Sequence, residues 1–176
     1  MKLMSGKVPA LAHDLVDALV TSQTIEVLPD EVKEVEMDIE SVLREYIRAD
    51  REITDRARDV IAQQKRDYTE LNKVKSQLAR ERNFGIGETM IEYLNAQLIE
   101  ALIHSRHVEE VFGEDNELVV QMTPVLRKYL AADEELDGEV RRRIKNLTEG
   151  TMAWDTQYRK VLDELRRIKK LDDPLQ

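Results

Sequence analysis

The chain has 176 residues, 41% of them apolar and 36% charged, with a formal net charge of −9. It contains no cysteine, which excludes disulfides and thiolate zinc sites and fits a reducing, cytoplasmic setting. The acidic balance disfavours a nucleic-acid role, and 6 Gly with 4 Pro leave few breaks, which favours helices over a strand-and-turn fold.

At the start, Met1-Lys2-Leu3 runs into Ala12-His13-Asp14, whose charge interrupts any signal-peptide core. No apolar run approaches the roughly 18 residues a membrane span needs. Leu11, Leu15, Ala18 and Leu19 recur at helical spacing and predict a first helix. Thr24-Ile25-Glu26-Val27-Leu28 then alternates before Pro29 and reads as a short extended connector. From Val32 through Val35, Ile39, Val42, Tyr46, Ala49, Ile53 and Ala57 to Val60 the apolar residues step mostly by three and four. That is the seam of a long helix, and Thr54-Asp55 is placed to break or kink it. Tyr68, Leu71, Val74 and Leu78 mark a further helix. Asn83-Phe84-Gly85-Ile86-Gly87-Glu88 then reads as a hinge.

The second half repeats the pattern. Leu15-Val16-Asp17-Ala18-Leu19-Val20 lies on Leu98-Ile99-Glu100-Ala101-Leu102-Ile103, and the same register sets Tyr46 on Tyr129 and Asp50 on Asp133 without a gap. His107-Val108-Glu109-Glu110-Val111-Phe112 matches the first connector, and the two could pair as a minimal two-stranded ribbon. Thr123-Pro124 reads as a helix start, with Thr as N-cap and Pro in the first turn, and Asp137-Gly138 as the matching break. Trp154, Tyr158, Val161, Leu165 and Ile168 form the cleanest seam of all. The expected fold is therefore all-α. It comprises two tandem helical units, 1–88 and 89–176, of about four helices each in a pseudo-two-fold arrangement. Their seams pack copy against copy, or chain against chain as a homo-oligomer.

Charge is ordered within each unit. Acids outnumber bases 14 to 6 over residues 14–59, and bases lead 6 to 3 over 60–83. The counts are 12 acids to 3 bases over 92–139, then 10 bases to 4 acids over 141–171. The basic stretch supplies the partner-binding candidates: Arg141, Arg142, Arg143, Lys145, Arg159, Arg166, Arg167, Lys169 and Lys170. Glu100, His104 and His107 sit four and three apart, a weak metal-ligand set with no matching histidine in the first unit. Gly85-Ile86-Gly87 lacks the strand and third glycine of a phosphate loop. No nucleophile–base set stands out, so no catalytic residue, metal or cofactor is assigned.

Met1-Lys2-Leu3, Ile25-Glu26-Val27, the acidic helix around residues 31–45, and Asp67-Tyr68 leading to Leu78-Ala79-Arg80-Glu81-Arg82 together resemble a bacterial family, domain of unknown function 507. The second half departs from that pattern at Gly150-Thr151 and Leu162-Asp163-Glu164-Leu165-Arg166. The resemblance implies an all-helical fold and carries over no site residue. The expected function is a non-enzymatic helical interaction or scaffold module for a protein partner. The alternative is a nucleic-acid-associated factor using the basic last helices, and a metal protein or enzyme around His104 and His107 comes third.

Overall fold

A computed structural model describes residues 3–149 and 151–171. Among them are six α-helices and one two-stranded ribbon. The order is α1 (Val8–Thr21), β1 (Ile25–Glu26), α2 (Val32–Gln64), α3 (Leu71–Glu81), α4 (Met90–His104), β2 (Glu110–Val111), α5 (Asp115–Arg143) and α6 (Met152–Leu171). By packing the chain divides into a unit of Met1–Leu130 and a unit of Ala131–Gln176. That division falls inside α5, whereas the sequence reading expects a boundary near residue 88.

The first unit is built on two apolar helices. α1 buries Val8, Leu11, Ala12, Leu15, Val16 and Leu19, and α4 buries Met90, Leu94, Asn95, Leu98, Ile99 and Leu102. Six buried positions in four turns make a stripe too wide for a single covering helix. α2 packs on both α1 and α4, laying Val35, Ile39, Leu43 and Tyr46 into the same core. Leu118, Met122, Leu126 and Leu130 of α5 join it. Each such side chain contributes about 1.5–3 kcal/mol on leaving water. Further along α2, Ala57 and Ile61 meet Val74 of α3 in a smaller cluster, and Lys75 Nζ reaches Asp50 Oδ1 at 2.6 Å.

The connectors pair as the alternation suggested. Ile25 lies opposite Val111 and Glu26 opposite Glu110 in an antiparallel ladder, extended by Glu109 N–H to the Glu26 carbonyl at 2.9 Å. Ile25 is 2% exposed and closes the core beneath.

Three expectations are corrected. The breaks near Thr54 and Gly138 do not form: α2 and α5 run through them, so each half carries three helices and not four. Thr54 Oγ1 donates to the Asp50 carbonyl at 2.8 Å, bonding back into its own helix instead of capping a new one. Burial of Ile53 and Ala57 on either side of it holds the helix together. Thr123-Pro124 does not start a helix either. α5 begins at Asp115 and contains Pro124, while Thr123 Oγ1 accepts from Asn95 Nδ2 of α4 at 2.9 Å. The carbonyl that Pro124 orphans belongs to Val120, a residue on the exposed side where water can serve it.

The third correction concerns the presumed hinge. Phe84 is buried and stacks on Tyr46 at 4.8 Å, and the Tyr46 hydroxyl donates to the Gly85 carbonyl at 3.0 Å. A Cβ on Gly85 would fall 2.3 Å from Tyr93 Cβ and 2.6 Å from the Thr89 carbonyl. The glycine is there for close approach, and the segment is a packed corner.

Two stability outcomes follow. Gly85→Ala forces the α4 turn off the corner and should cost about 1–3 kcal/mol, read as a lowered urea midpoint. Lys65, at the C-terminus of α2, sits at φ 50 with Arg66 N–H bonded to the Ile61 carbonyl. Its left-handed strain of about 1–2 kcal/mol exceeds the entropy cost of glycine, so Lys65→Gly should stabilise by roughly 0.5–1 kcal/mol in the same assay.

Candidate functional site

The basic residues of the second unit divide into two groups. Leu136, Val140, Ile144, Trp154, Tyr158 and Leu165 are its buried apolar residues among those described, and Trp154 stacks on Tyr158 at 4.9 Å. Trp154 is thus core, as its place on the seam predicts. The Tyr158 hydroxyl donates to Asp137; burial and that carboxylate together push its proton affinity well up. Arg141 completes the cluster. Its Nε donates to Asp137 Oδ2 at 2.7 Å, a second nitrogen reaches Glu149 Oε2 at 2.9 Å, and its guanidinium carbon lies 5.4 Å from the Trp154 ring centre. Arg143 pairs with Glu139 at 3.1 Å, and Arg166 approaches Asp163 at 3.9 Å. These three cations are engaged within the chain.

Arg142, Lys145, Arg159, Lys160 and Arg167 are different. All are exposed, and none pairs with an acid among the described residues. They share the unit's surface with Met152, 85% exposed at the start of α6, and Ile168, 41% exposed near its end. Lys169 and Lys170 have side chains outside the described residues.

Glu100, His104 and His107 are not brought together. His104 closes α4 with Nδ1 2.8 Å from the Glu100 carbonyl, so Glu100 contributes backbone to it rather than carboxylate. His107 lies past the helix end, with Nδ1 2.5 Å from Glu31 Oε2 at the start of α2. No group of three or more His, Asp or Glu residues is arranged to hold a metal among the described residues.

The first unit holds polar links that sequence spacing did not reveal. Glu36, 5% exposed on α2, has Oε1 2.7 Å from His13 Nδ1 of α1 and accepts from Lys33 Nζ at 2.8 Å. Burial pushes the Glu36 carboxyl up, but the Lys33 and His13 donors outweigh it and hold the group low. Glu36 in turn raises His13, mainly through the hydrogen bond. Asp14 accepts from the Tyr129 hydroxyl at 2.9 Å and Lys128 Nζ at 3.3 Å, tying α1 to α5. Burial, then this bond, pushes Tyr129 up to about 12. The identity of Tyr46 and Tyr129 between the halves was the one signal that could have flagged the Tyr129–Asp14 tie and the Tyr46–Gly85 bond, and none pointed to Glu36 and His13.

Beside Tyr46, Phe84 and Tyr93 lies a cleft of about 300 Å³, with Ser41, Glu45 and Gln97 among its polar lining. Ser41 Oγ is spent on the Met37 carbonyl at 2.9 Å, and Glu45 pairs with Arg48 at 2.6 Å. No general base stands next to a nucleophile there; the cleft can shelter a small apolar group.

The family model for proteins of unknown function, DUF507, matches residues 1–171, and the chain belongs to that family. No curated protein matches it. No helix among the described residues is long and apolar enough to cross a membrane.

The His13–Glu36 contact has a defined pH signature. A raised histidine contributes stability that is fully present below its ordinary value of 6.5 and is lost as pH rises through the raised one. The depressed carboxyls of Glu36 and Asp14 contribute stability that is lost only as pH falls below the usual carboxylate range. His13→Gln should therefore reduce the drop in urea midpoint between about pH 5.5 and about pH 8.5, and only weaken the acid limb, because Lys33 still donates to Glu36 and Tyr129 and Lys128 to Asp14.

Proposed function

We propose that this protein is a non-enzymatic helical interaction module that binds an acidic surface of a protein partner through its second unit. One observation carries the reading. Arg142, Lys145, Arg159, Lys160 and Arg167 stay exposed and unpaired among the described residues, although acids are plentiful in the same unit. Exposed Met152, seven residues before Arg159 on α6, adds apolar contact area beside these cations. Cations of this kind steer association and fix the partner's charge, while the apolar side chain contributes affinity. Nucleic acid is the second reading, favoured by the same cations. Against it, Trp154 and Tyr158 are stacked on one another and buried, so neither offers a platform for bases.

The tandem form is also part of this proposal. α1 and α4 carry Leu11, Leu15 and Leu19 against Leu94, Leu98 and Leu102, buried at positions 83 residues apart. Val35, Ile39 and Leu43 stand in the same relation to Leu118, Met122 and Leu126. Helix, short strand, long helix, helix is the order in both halves, which supports two copies of one ancestral unit.

The test is a fivefold substitution, R142E/K145E/R159E/K160E/R167E, compared with the natural chain in affinity capture from the native cell. A protein partner held by this face should fall about tenfold or more in recovery with the circular dichroism melt unchanged. Retention of the natural chain on heparin with a steep salt dependence, and no stoichiometric protein in the capture, would replace the proposal with the nucleic-acid reading.

A further inference from the structure

The ribbon of the first unit carries a row of groups that the fold does not use. Ile25 and Val111 face each other and point inward, so the alternation of an antiparallel pair sends Glu26 and Glu110 outward. The register sets those two carboxylates directly opposite one another. Such neighbours have Cβ atoms about 5 Å apart, and like charges there destabilise the ladder. No cation among the described residues pairs with either. Residues 26–38 hold six acids against Lys33 alone, whose amine is already on Glu36, and residues 100–117 hold six against Arg106 alone. Phe112, two residues beyond Glu110, is 55% exposed, and Leu28, two beyond Glu26, is 44% exposed; the ladder between them spans Ile25–Glu26 and Glu110–Val111.

The ribbon thus presents a facing pair of carboxylates, with an exposed aromatic ring and an exposed aliphatic side chain close by in the chain on either strand. We infer that it is a docking surface for an extended basic segment of a partner protein. Its occupant places a Lys or Arg against Glu26 and Glu110 and neighbouring apolar side chains on Phe112 and Leu28. Charge complementarity selects this occupant. The cation relieves the repulsion across the ladder, and the flanking side chains cover apolar surface now facing water. The inference concerns a surface opposite in charge to the basic face of the second unit and does not depend on it.

The experiment is fluorescence anisotropy on the full chain with a labelled synthetic peptide alternating Leu with Lys and Arg. E26Q/E110Q and L28S/F112S should each weaken binding by about tenfold, and a peptide with Ser in place of Leu should lose a similar factor. E81Q/E88Q, with the same change in charge at exposed acids outside the ribbon, should stay within about twofold. R142E/K145E/R159E/K160E/R167E should leave the peptide affinity no weaker, which separates this surface from the one proposed above. Because E26Q/E110Q removes a like-charge pair, its melting temperature should equal or exceed that of the natural chain, so lost binding is not unfolding. Equal weakening by E81Q/E88Q, unaltered binding by L28S/F112S, or no binding at all would overturn the inference. Salt-dependent self-association of the chain in sedimentation, abolished by E26Q/E110Q, would also overturn it and make a second copy the occupant.

Discussion

Two helices, α1 and α4, cannot face water, and the first unit is arranged around that constraint. Each buries six residues in about four turns, on a stripe wider than one neighbour can cover. α2 supplies cover to both, and α5 reaches each of them as well: Tyr129 bonds Asp14 of α1, and Thr123 accepts from Asn95 of α4. The ribbon closes the core with Ile25 and joins connectors that lie more than eighty residues apart in the chain.

That arrangement explains where the chain's polar chemistry goes. Glu36 meets His13, Asp38 accepts from Ser105 at 2.6 Å, and the Tyr46 hydroxyl meets the Gly85 carbonyl. A buried polar group left without a partner costs about 1–3 kcal/mol, so each of these ties is strongly constrained in geometry. They align helices and are satisfied by the fold. The charges with no internal use lie on the surface, basic on the second unit and acidic around the ribbon.

Much of this was legible in local pattern. The apolar periodicity of α1, α2, α4 and α6 is visible residue by residue, because helix burial repeats every 3.6 residues whatever the partner is. Trp154 and Tyr158 declared themselves as core by their place on a seam. Where local rules misled, a tertiary contact outweighed a local preference. Thr54 and Pro124 carry helix-start signals worth one to a few kcal/mol. Buried neighbours on both sides, Ile53 with Ala57 and Met122 with Leu126, kept their helices continuous. Gly85 has the look of a flexible joint, yet its missing side chain is what lets Tyr93 and the Thr89 carbonyl close in.

The sequence by itself determined that this is a helical chain, with two apolar helices, two long amphipathic ones and an acidic-then-basic order of charge. Those properties belong to near neighbours in the chain and need no knowledge of its path. Only the tertiary structure decided that the first unit's core draws on both halves of the chain, that Asp14 is tied to Tyr129, and that Glu26 stands across from Glu110. Each of these pairings joins residues more than eighty positions apart, and the register between them is set by how the helices fill a shared core. The surface that combines exposed Phe112 and Leu28 with two facing carboxylates exists for that reason alone.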